Sequence, residues 1–472
     1  MSQSTSLSVQ RSTVSPAEAA SIELPTQSRG FPSKVLSRQG WQVFLAQSIQ
    51  QIPRPFWSSL VNKDAIFWSR EYLYALEQEL PSHMEVRYLM FVHQRRLVAA
   101  SMVQLFDLKL DELGSSIEDP RRRRPLNWVP GIFACRNGER VLRIMMAGDI
   151  FHTGAPGILH HADVTLDESL QALNQAMRWL EKRESRQGRL ALQVVKDFAA
   201  TPATERLTGN GYFELQAEPE MNLVFRDNWS HYDHYLADMS SKYRQRARSA
   251  RKKGKELTTR LLNEDEVEAH CHELQELLDA VIGTSSFHLA HDRVNLYCRL
   301  KRHLGDRYVF RVYELEGKLV GFSTYLLDGK ALVAHRVGID YSVNQQVKLY
   351  QNMLYDFIQA AFDEGAREVQ FGRTALEIKS TVGAEPQTLT FYLRHPRFWM
   401  NMLVQPFLNI VPPTDWVQRR PFKEYPGQPE ATEVVKVDET AEDTEGSFCP
   451  IHRYCSISSL LKTVFSCPKN RS

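Results

Sequence analysis

Apolar positions in the first half of the chain alternate over short stretches, as in β-strands, and then recur at helical spacing. The predicted order is a hairpin over 86–106, a hairpin over 131–146, a helix at 166–183, a strand at 190–195 and a strand pair at 214–225. The second hairpin turns at Asn137-Gly138, a dipeptide that is typical of tight hairpin turns. Strands therefore precede and follow one central helix.

The second half repeats this order without obvious residue identity to the first. A helix is predicted at 264–282, and the later elements are strands at 308–315, 319–327 and 331–339, a helix at 345–364, and strands at 369–371 and 389–393. A duplicated module explains the recurrence most economically. We therefore expect an α/β (α+β) protein with two tandem modules, each a mixed, largely antiparallel sheet flanked by helices.

Composition changes near both ends of the chain. Residues 1–37 are rich in Ser, Gln and Pro, and residues 424–472 begin with an acidic stretch, so both are predicted to be disordered tails. Between them we place a first module at 38–226 and a second, catalytic module at 227–423. A length of 472 residues agrees with more than one domain.

The charge balance and the cysteine pattern narrow the class of protein. A formal charge of +2 gives no reason to expect DNA as a partner. The six cysteines include no CxxC pair, and the spacing of Cys449, His452 and Cys455 is not that of a common zinc module, so we expect reduced thiols and no metal. No apolar run reaches membrane-spanning length and no signal peptide is evident, which predicts a cytoplasmic protein.

A basic helix is predicted at 240–255. It holds eight Lys and Arg residues from Lys242 onward and no acidic residue. Helical spacing brings Arg244, Arg248, Arg251 and Lys255 to one side. Such a face can bind phosphates of coenzyme A, a nucleotide-linked substrate or RNA. A solvated helix whose long side chains cover an apolar surface is the alternative.

The segment 369–386 carries the main candidates for catalysis. Gly372 follows a short strand and permits a tight exit at its carboxyl end, where α/β sheets usually place ligands. Arg373, Thr374, Glu377 and Lys379 follow. Lys379 is a candidate for stabilising an oxyanion or phosphate, and Glu377 for accepting a proton if burial raises its pKa. A surface loop with an internal ion pair is the alternative interpretation.

Two further loops deserve a functional and a structural interpretation. The entry to the helix near 345 has free amides that can receive a pyrophosphate, whereas Asp340, Ser342 and Asn344 are also ordinary helix caps. In the first half, Asp149 and His152 lie in a Gly/Pro-rich loop. This loop either contributes to a cleft between the modules or merely closes the first sheet, and the latter is favoured.

Two surface segments are predicted to have structural rather than functional roles. Arg121 to Arg124 are expected to form a solvated loop. The apolar segment 397–411 is expected to pack on the second module, with a membrane-surface or partner contact as the minority interpretation.

The second half resembles the GNAT-like domain of Fem-type aminoacyltransferases and of the related acetyltransferases once described as peptidoglycan or cellulose biosynthesis proteins. The residues that carry the resemblance are the basic helix and the strand-Gly-to-Lys element 371–379, and it covers about 229–394. Two positions depart from the pattern. Ile378 replaces an aromatic residue that often precedes the lysine, and Asn344, Gln345 and Gln346 replace the Gly-rich pyrophosphate loop of GNAT enzymes.

The resemblance implies transfer of an acyl group from acetyl-CoA or another acyl-CoA to an amine or hydroxyl. It carries Gly372, Lys379 and the basic helix over as site candidates, and the helix entry keeps Asn344, Gln345 and Gln346 as candidates for binding the donor. The acceptor would be a small molecule or a cell-envelope precursor. Two alternatives stay open: a Fem-type enzyme that uses aminoacyl-tRNA, and a non-catalytic protein that binds RNA or an anionic surface. Direct attack is expected, because no Cys/His or Ser/His/Asp arrangement indicates a covalent intermediate.

Overall fold

The computed structural model describes residues 13–14, 33–38, 40–109, 134–136, 139–185, 190–216, 218–283, 293–402 and 416–423. The strands are β1 Thr13–Val14, β2 Ser33–Arg38, β3 Trp41–Ala46, β4 Met84–His93, β5 Arg96–Lys109, β6 Ala134–Arg136, β7 Glu139–Ala147, β8 Leu159–His161, β9 Leu190–Phe198, β10 Phe213–Gln216, β11 Glu220–Val224, β12 Leu257–Leu261, β13 Tyr308–Leu315, β14 Lys318–Asp328, β15 Ala331–Ile339, β16 Glu368–Gln370, β17 Glu385–Gln387 and β18 Thr390–Arg394.

The α-helices are α1 Arg54–Ser58, α2 Arg70–Gln78, α3 Leu166–Glu184, α4 Glu205–Gly209, α5 Tyr232–Asp238, α6 Ser241–Lys253, α7 Glu264–Ala269, α8 Cys271–Gly283, α9 Val294–Leu304, α10 Tyr341–Val347, α11 Leu349–Asp363 and α12 Leu376–Thr381. Local chemistry explains where several of them begin. Thr165 and Glu168 form a capping box at the start of α3, and Asn263 and Glu266 form another at the start of α7. Each box satisfies two backbone N–H groups that the helix leaves unpaired.

Two mixed sheets form the framework. In the first sheet the main path is β10-β18-β9-β7-β5-β4-β3-β2, and in the second the order is β12-β13-β14-β15-β16-β11-β17. Each contains an antiparallel meander whose last strand pairs in parallel with the strand that follows a helical crossover, β7 with β9 and β15 with β16. The expected fold class of two like modules with mixed sheets and flanking helices is therefore confirmed.

The two sheets exchange their closing strands. β11 precedes the second meander in the chain, yet it pairs antiparallel with β16 in the second sheet. β18 lies near the end of the second half, yet it pairs antiparallel with β9 in the first sheet. The chain crosses once between β10 and β11 and returns between β17 and β18. The predicted boundary at 226/227 stays a prediction, because sheet membership does not follow chain order there.

A single hydrophobic core lies between the sheets. It joins Leu76 of α2, Leu300 of α9, Phe322 of β14 and the pair Phe391 and Leu393 of β18. Separate cores cover the outer faces, one under α3 and the other under α6 and α11. Because every residue of β18 is buried, this strand contacts both the shared core and an outer core.

Several predicted elements change in detail. The helix expected at 264–282 is divided at His270 into α7 and α8. The helix expected from 345 starts earlier and is interrupted at Lys348, whose φ of 51° is left-handed. α9 was not predicted. Residues 33–37 of the expected N-terminal tail lie in β2, which pairs with β3.

The apolar segment from 397 starts on a different surface from the expected one. Asn401 donates from Nδ2 to the Gly211 carbonyl oxygen at 2.8 Å, so this part packs on the first half rather than the second. Phe398, Trp399 and Met402 are exposed. The described residues do not include Arg121 to Arg124, the rest of this apolar segment, the Cys449–His452–Cys455 spacing or the tail 424–472.

The shared core predicts that damage to β18 destabilises the whole molecule. Leu393 is 0% exposed, and Leu393→Ala should cost about 3–5 kcal/mol of unfolding free energy because the cavity cannot fully collapse. Urea unfolding followed by circular dichroism measures this loss. Leu261→Ala is the matched control, since Leu261 is 58% exposed and its loss should change stability by about 0.5 kcal/mol or less. Separate unfolding of one module at lower urea would contradict a shared core.

Candidate functional site

β15 and β16 part within the second sheet. Their parallel pairing covers Ala331 to Val333 and ends there, opposite Gln370. The next residue, Phe371, donates its backbone N–H to the Met221 oxygen at 2.9 Å, and the Met221 N–H bonds the Gly372 oxygen at 3.2 Å. The chain after β16 thus follows β11, while β15 continues paired with β14 on its other edge. A wedge opens between the second half of β15 and the segment that begins at Gly372.

A β-bulge faces this opening. Arg336 of β15 pairs with Thr324 of β14, and Ala334 pairs with Tyr325, so His335 is the extra residue. Bulges of this kind redirect a side chain and are frequent beside active sites. His335 and Arg336 consequently both point toward the first half of the chain. The Arg336 Nη2 donates to the Phe151 oxygen there at 2.8 Å.

Hydrogen bonds around His335 define which ring nitrogen carries the proton. The Tyr308 hydroxyl donates to Thr324 Oγ1 at 3.0 Å, and the Thr324 hydroxyl donates to the Arg336 oxygen. The Tyr308 oxygen can then only accept from His335 Nδ1, 3.0 Å away. This arrangement places the ring proton on Nδ1.

The other ring nitrogen of His335 is left as an acceptor. The side chain is 7% exposed, and Nε2 has no hydrogen-bond partner in the described ranges. Burial, reinforced by the charge of Arg336, holds the pKa of His335 well below its usual value. The imidazole is therefore neutral at physiological pH and can accept a proton at Nε2.

Lys379 holds the loop that forms the opposite side of the wedge. Its Nζ donates to the Arg373 oxygen at 2.7 Å and to the Gly372 oxygen at 3.2 Å. Gly372, Thr374 and Ala375 all have left-handed φ values, of 70°, 72° and 49°. Such a conformation costs non-glycine residues about 1–3 kcal/mol each and persists only where the surroundings enforce it. The lysine therefore stabilises a strained turn.

The environment of Lys379 favours its neutral form. The side chain is 4% exposed, and burial lowers its pKa from 10.5 to about 7, although Glu218 and Glu220 act in the opposite direction. A neutral amine still has two N–H groups, which is the number that the Gly372 and Arg373 oxygens need. The loop contact can therefore survive loss of the charge.

Arg373 points away from the loop into a buried ion-pair cluster. Its Nη2 donates to Asp197 Oδ1 at 2.7 Å, and its guanidinium lies 4.9 Å from the Phe391 ring centroid. Nε and Nη1 of Arg373 have no hydrogen-bond partner in the described ranges. Asp197 also pairs with Lys196. Burial acts to raise the pKa of Asp197, but Lys196 and Arg373 outweigh it and lower that pKa.

The loop that carries Asp149 and His152 packs against this cluster at the junction of the two sheets. Lys196 Nζ donates to the backbone oxygens of Asp149 and His152 at 2.8 and 2.7 Å. The Asp149 carboxylate accepts from the Tyr72 hydroxyl at 2.7 Å and from Gln104, and the His152 ring stacks on Phe67. These contacts are structural, so both residues support the junction of the modules.

The basic helix exists as α6 and is divided between docking and exposure. Arg251 donates to Asp356 Oδ1 at 2.6 Å and to Asn352, which fixes the helix on α11. Arg244 is half-buried and donates to the Ala237 oxygen. Lys242 and Arg248 are exposed. Lys242, Arg244, Arg248 and Arg251 thus do not act as one charged surface.

The remaining candidates lie apart from the wedge's buried side chains. Asn344 is buried in α10 and accepts the Tyr350 N–H at 3.0 Å, so it bridges the interruption before α11. Gln345 and Gln346 are exposed on α10. Glu377 is exposed and accepts from Arg419 Nε at 3.0 Å, so the burial expected to prepare it as a base is absent.

A family model for the acetyltransferase (GNAT) domain matches residues 241–380. These residues form a domain of the GNAT acyltransferase superfamily. The match includes the basic helix, β15, β16 and Lys379, as the sequence resemblance implied. No curated protein matches the chain. The matched residues include both edges of the wedge, the bulge at His335 and the lysine-held loop.

Solved structures give more distant likenesses. The chain is 11% identical to FemX, covering 68% of this chain and 90% of that one, with a TM-score of 0.43. It is 10% identical to a tandem GNAT protein from the clavulanic acid biosynthesis pathway, covering 69% and 88%, with a TM-score of 0.40. It is also 10% identical to a GCN5-related N-acetyltransferase from Sphaerobacter thermophilus, covering 70% of this chain and 86% of that one, with a TM-score of 0.36.

Sequence reasoning missed the residues that surround the GNAT domain's candidate lysine. Glu218, Glu220 and Asp197 precede the domain in the chain, and only the strand exchange brings them near Lys379 and Arg373. His335 gave no signal, because a bulge leaves no mark in an alternating strand pattern. Within the described ranges, no group of three or more His, Cys, Asp or Glu side chains is arranged to bind a metal. Nor is any helix there long and apolar enough to span a bilayer.

The buried lysine predicts a pH dependence of stability. Because the folded-state pKa of Lys379 is about 7 and the ordinary pKa of a lysine is 10.5, the unfolded chain binds more protons between these values. Stability should therefore rise with pH in this window, by at most about 1.4 kcal/mol per pH unit. Urea unfolding between pH 6.5 and pH 9.5 should show that Lys379→Met removes this rise. Lys242→Met, at an exposed lysine, controls for the lost charge. If stability changes with pH in Lys379→Met as it does in the wild type, the lowered pKa of Lys379 is refuted.

Proposed function

We propose that the protein is an acyltransferase that moves an acyl group from acyl-CoA to an amine or hydroxyl of its acceptor. The observation that carries the proposal is the parting of β15 and β16 beside His335 in a GNAT domain. Strand backbone groups that no neighbouring strand occupies can bind an extended acyl donor and the carbonyl oxygen of its thioester. A small molecule or a cell-envelope precursor remains the proposed class of acceptor.

His335 is the proposed proton acceptor in this reaction. The acceptor nitrogen or oxygen attacks the thioester carbonyl carbon directly, its proton passes to His335 Nε2, and the carbon–sulfur bond breaks to release the CoA thiolate. The geometry supports this role, because the ring proton lies on Nδ1 and Nε2 has no protein partner in the described ranges. Glu377 is less suitable, because it is exposed and paired with Arg419.

Lys379 and Arg373 would act on the other side of the wedge. Lys379 keeps the turn at 372–375 in its strained conformation, which positions the loop next to the donor. Arg373 points away from the loop and pairs with Asp197, so its proposed role is to anchor the loop to the first half through that ion pair. Gly372 and Thr374 belong to the same turn.

Loss of the proposed base should reduce turnover without loss of donor binding. We expect His335→Gln to lower kcat by about 10²–10⁴-fold. The measurement is release of free CoA from acetyl-CoA in the presence of a panel of amino acids, polyamines and amino sugars. Thermal shift with acetyl-CoA reports donor binding, since a ligand of the native state raises its apparent stability.

His272→Gln is the matched control, because the side chain of His272 is 89% exposed on α8. It should match the wild type in both assays. Full turnover by His335→Gln would remove this residue from the mechanism. No thermal shift with acetyl-CoA or with longer acyl-CoAs would count against an acyl-CoA donor and in favour of aminoacyl-tRNA or of a binding function.

Binding of RNA is the second candidate function, supported by the exposed side of α6. Five cations on this side and in the turn that follows it have no partner among the described residues: Lys242, Arg248, Lys252, Lys253 and Lys255. Their segment contains no acidic neighbour before Glu256. Contacts of this kind with phosphates release counterions and make affinity steeply dependent on salt.

Replacing four of these cations tests the second candidate. The quadruple Gln variant of Lys242, Arg248, Lys252 and Lys253 should make the plot of log K against log salt for bulk tRNA shallower by about 3. Filter binding at several salt concentrations gives the slope. The control is a Gln variant of exposed cations on other elements: Arg54, Lys63, Lys318 and Lys330. Equal slopes in the two variants would show that α6 is not the RNA-binding surface.

A further inference from the structure

Two cysteines of adjacent helices lie in contact. Cys271 is the first residue of α8 and is partly exposed, and Cys298 is in the middle of α9 and is buried. Their sulfur atoms are 3.8 Å apart. A disulfide bond is ~2.0 Å long, so small rotations of the two side chains can bring the sulfur atoms from contact to bonding distance. Nothing in the sequence signalled this pair, because 26 residues lie between its members.

The surroundings make the two thiols chemically unequal. The Cys271 Sγ is 3.3 Å from Asn295 Oδ1 and borders solvent. The Cys298 Sγ lies 3.9 Å from the Val267 oxygen, and burial raises the pKa of its thiol. An oxidant from solution therefore meets Cys271 first, while Cys298 is held behind it.

We propose that Cys271 and Cys298 are a redox modification site, at which a peroxide converts the thiol pair to an intramolecular disulfide. The Cys271 thiolate attacks one peroxide oxygen, which gives a sulfenic acid and one water. The Cys298 sulfur then attacks the Cys271 sulfur, forms the S–S bond and displaces the hydroxyl as a second water. Two thiols and one hydrogen peroxide thus give one disulfide and two waters, and thiol reductants reverse the change.

Two core thiols that merely pack together would be the ordinary alternative, since free cysteine is among the most buried residues. Two features favour the reactive pair. One partner is accessible, and the other is already within contact distance to capture a sulfenic acid before further oxidation. A buried packing pair would lack the accessible partner.

The disulfide would act on the helix that supports the wedge. Tyr297 precedes Cys298, and its ring is edge-on to His335 with the centroids 5.6 Å apart. Its hydroxyl accepts from Arg336 Nε at 2.8 Å. On its other side α9 binds the first module through Arg299 and Glu79. A covalent link to α8 would hold α9, and with it the support behind His335, in one position.

Mass spectrometry of peroxide-treated protein tests the modification. The full chain is oxidised with hydrogen peroxide, blocked with an alkylating agent and digested without reductant. We expect one cross-linked peptide pair that contains Cys271 and Cys298 and that disappears after treatment with dithiothreitol. The same pair should form in a variant with Ser at Cys135, Cys449, Cys455 and Cys467, which excludes indirect exchange.

Cys271→Ala supplies the matched negative control and removes an accessible side chain, so this variant should fold. It should yield no disulfide at Cys298. Two results would overturn the proposal, provided that circular dichroism shows the oxidised protein to be still folded. One is sulfinic acid on Cys271, and the other is a disulfide between two molecules. Hydrogen exchange provides an independent readout: α9 amides should exchange more slowly after oxidation of the wild type but not of Cys271→Ala. Equal exchange in oxidised and reduced wild type would overturn the effect on α9.

Discussion

The reciprocal exchange of closing strands is the constraint on which the rest of the molecule depends. β11 completes the second sheet and β18 completes the first, so neither sheet is whole without chain from the other half. The exchange also determines the chemistry of the junction. It carries Glu218 and Glu220 across to Lys379 and brings Arg373 within hydrogen-bond distance of Asp197. The candidate site is thus assembled from both halves although only one half matches the GNAT domain.

Burial of several charges at this junction has an energetic cost that ion pairing offsets only in part. Arg373, Asp197 and Lys196 form a cluster that is almost inaccessible to water. Removing one member of such a cluster leaves an uncompensated charge and costs about 3–5 kcal/mol, whereas the intact cluster adds little net stability. Its value lies in orientation: the left-handed turn at 372–375 and the first-half loop at 149–154 both depend on these charges for their positions.

The sequence predicted the elements whose apolar pattern is strong, and it predicted Lys379, Arg373 and Gly372 as neighbours. It could not predict the partners of these residues. Asp197 is 176 positions from Arg373, and the contact depends on strands of three to five residues whose pattern does not reveal which sheet they join. The burial that the sequence analysis required of Glu377 is absent, because the residue lies on the exposed side of α12. His335 was missed because a bulge is a property of pairing between two strands.

The strand exchange also determines the order in which the protein can fold as it is synthesised. β9 pairs with β18 through Val195 and Tyr392, residues almost two hundred positions apart. Until the ribosome has made the later half, β9 presents an unpaired edge on a strand that is wholly buried in the finished fold, and unpaired edges promote aggregation in nascent sheets. Contacts this distant in sequence are slow to form because the loop between them must first close. The nascent chain therefore has its longest exposure in the first half, where a chaperone would have most effect on yield.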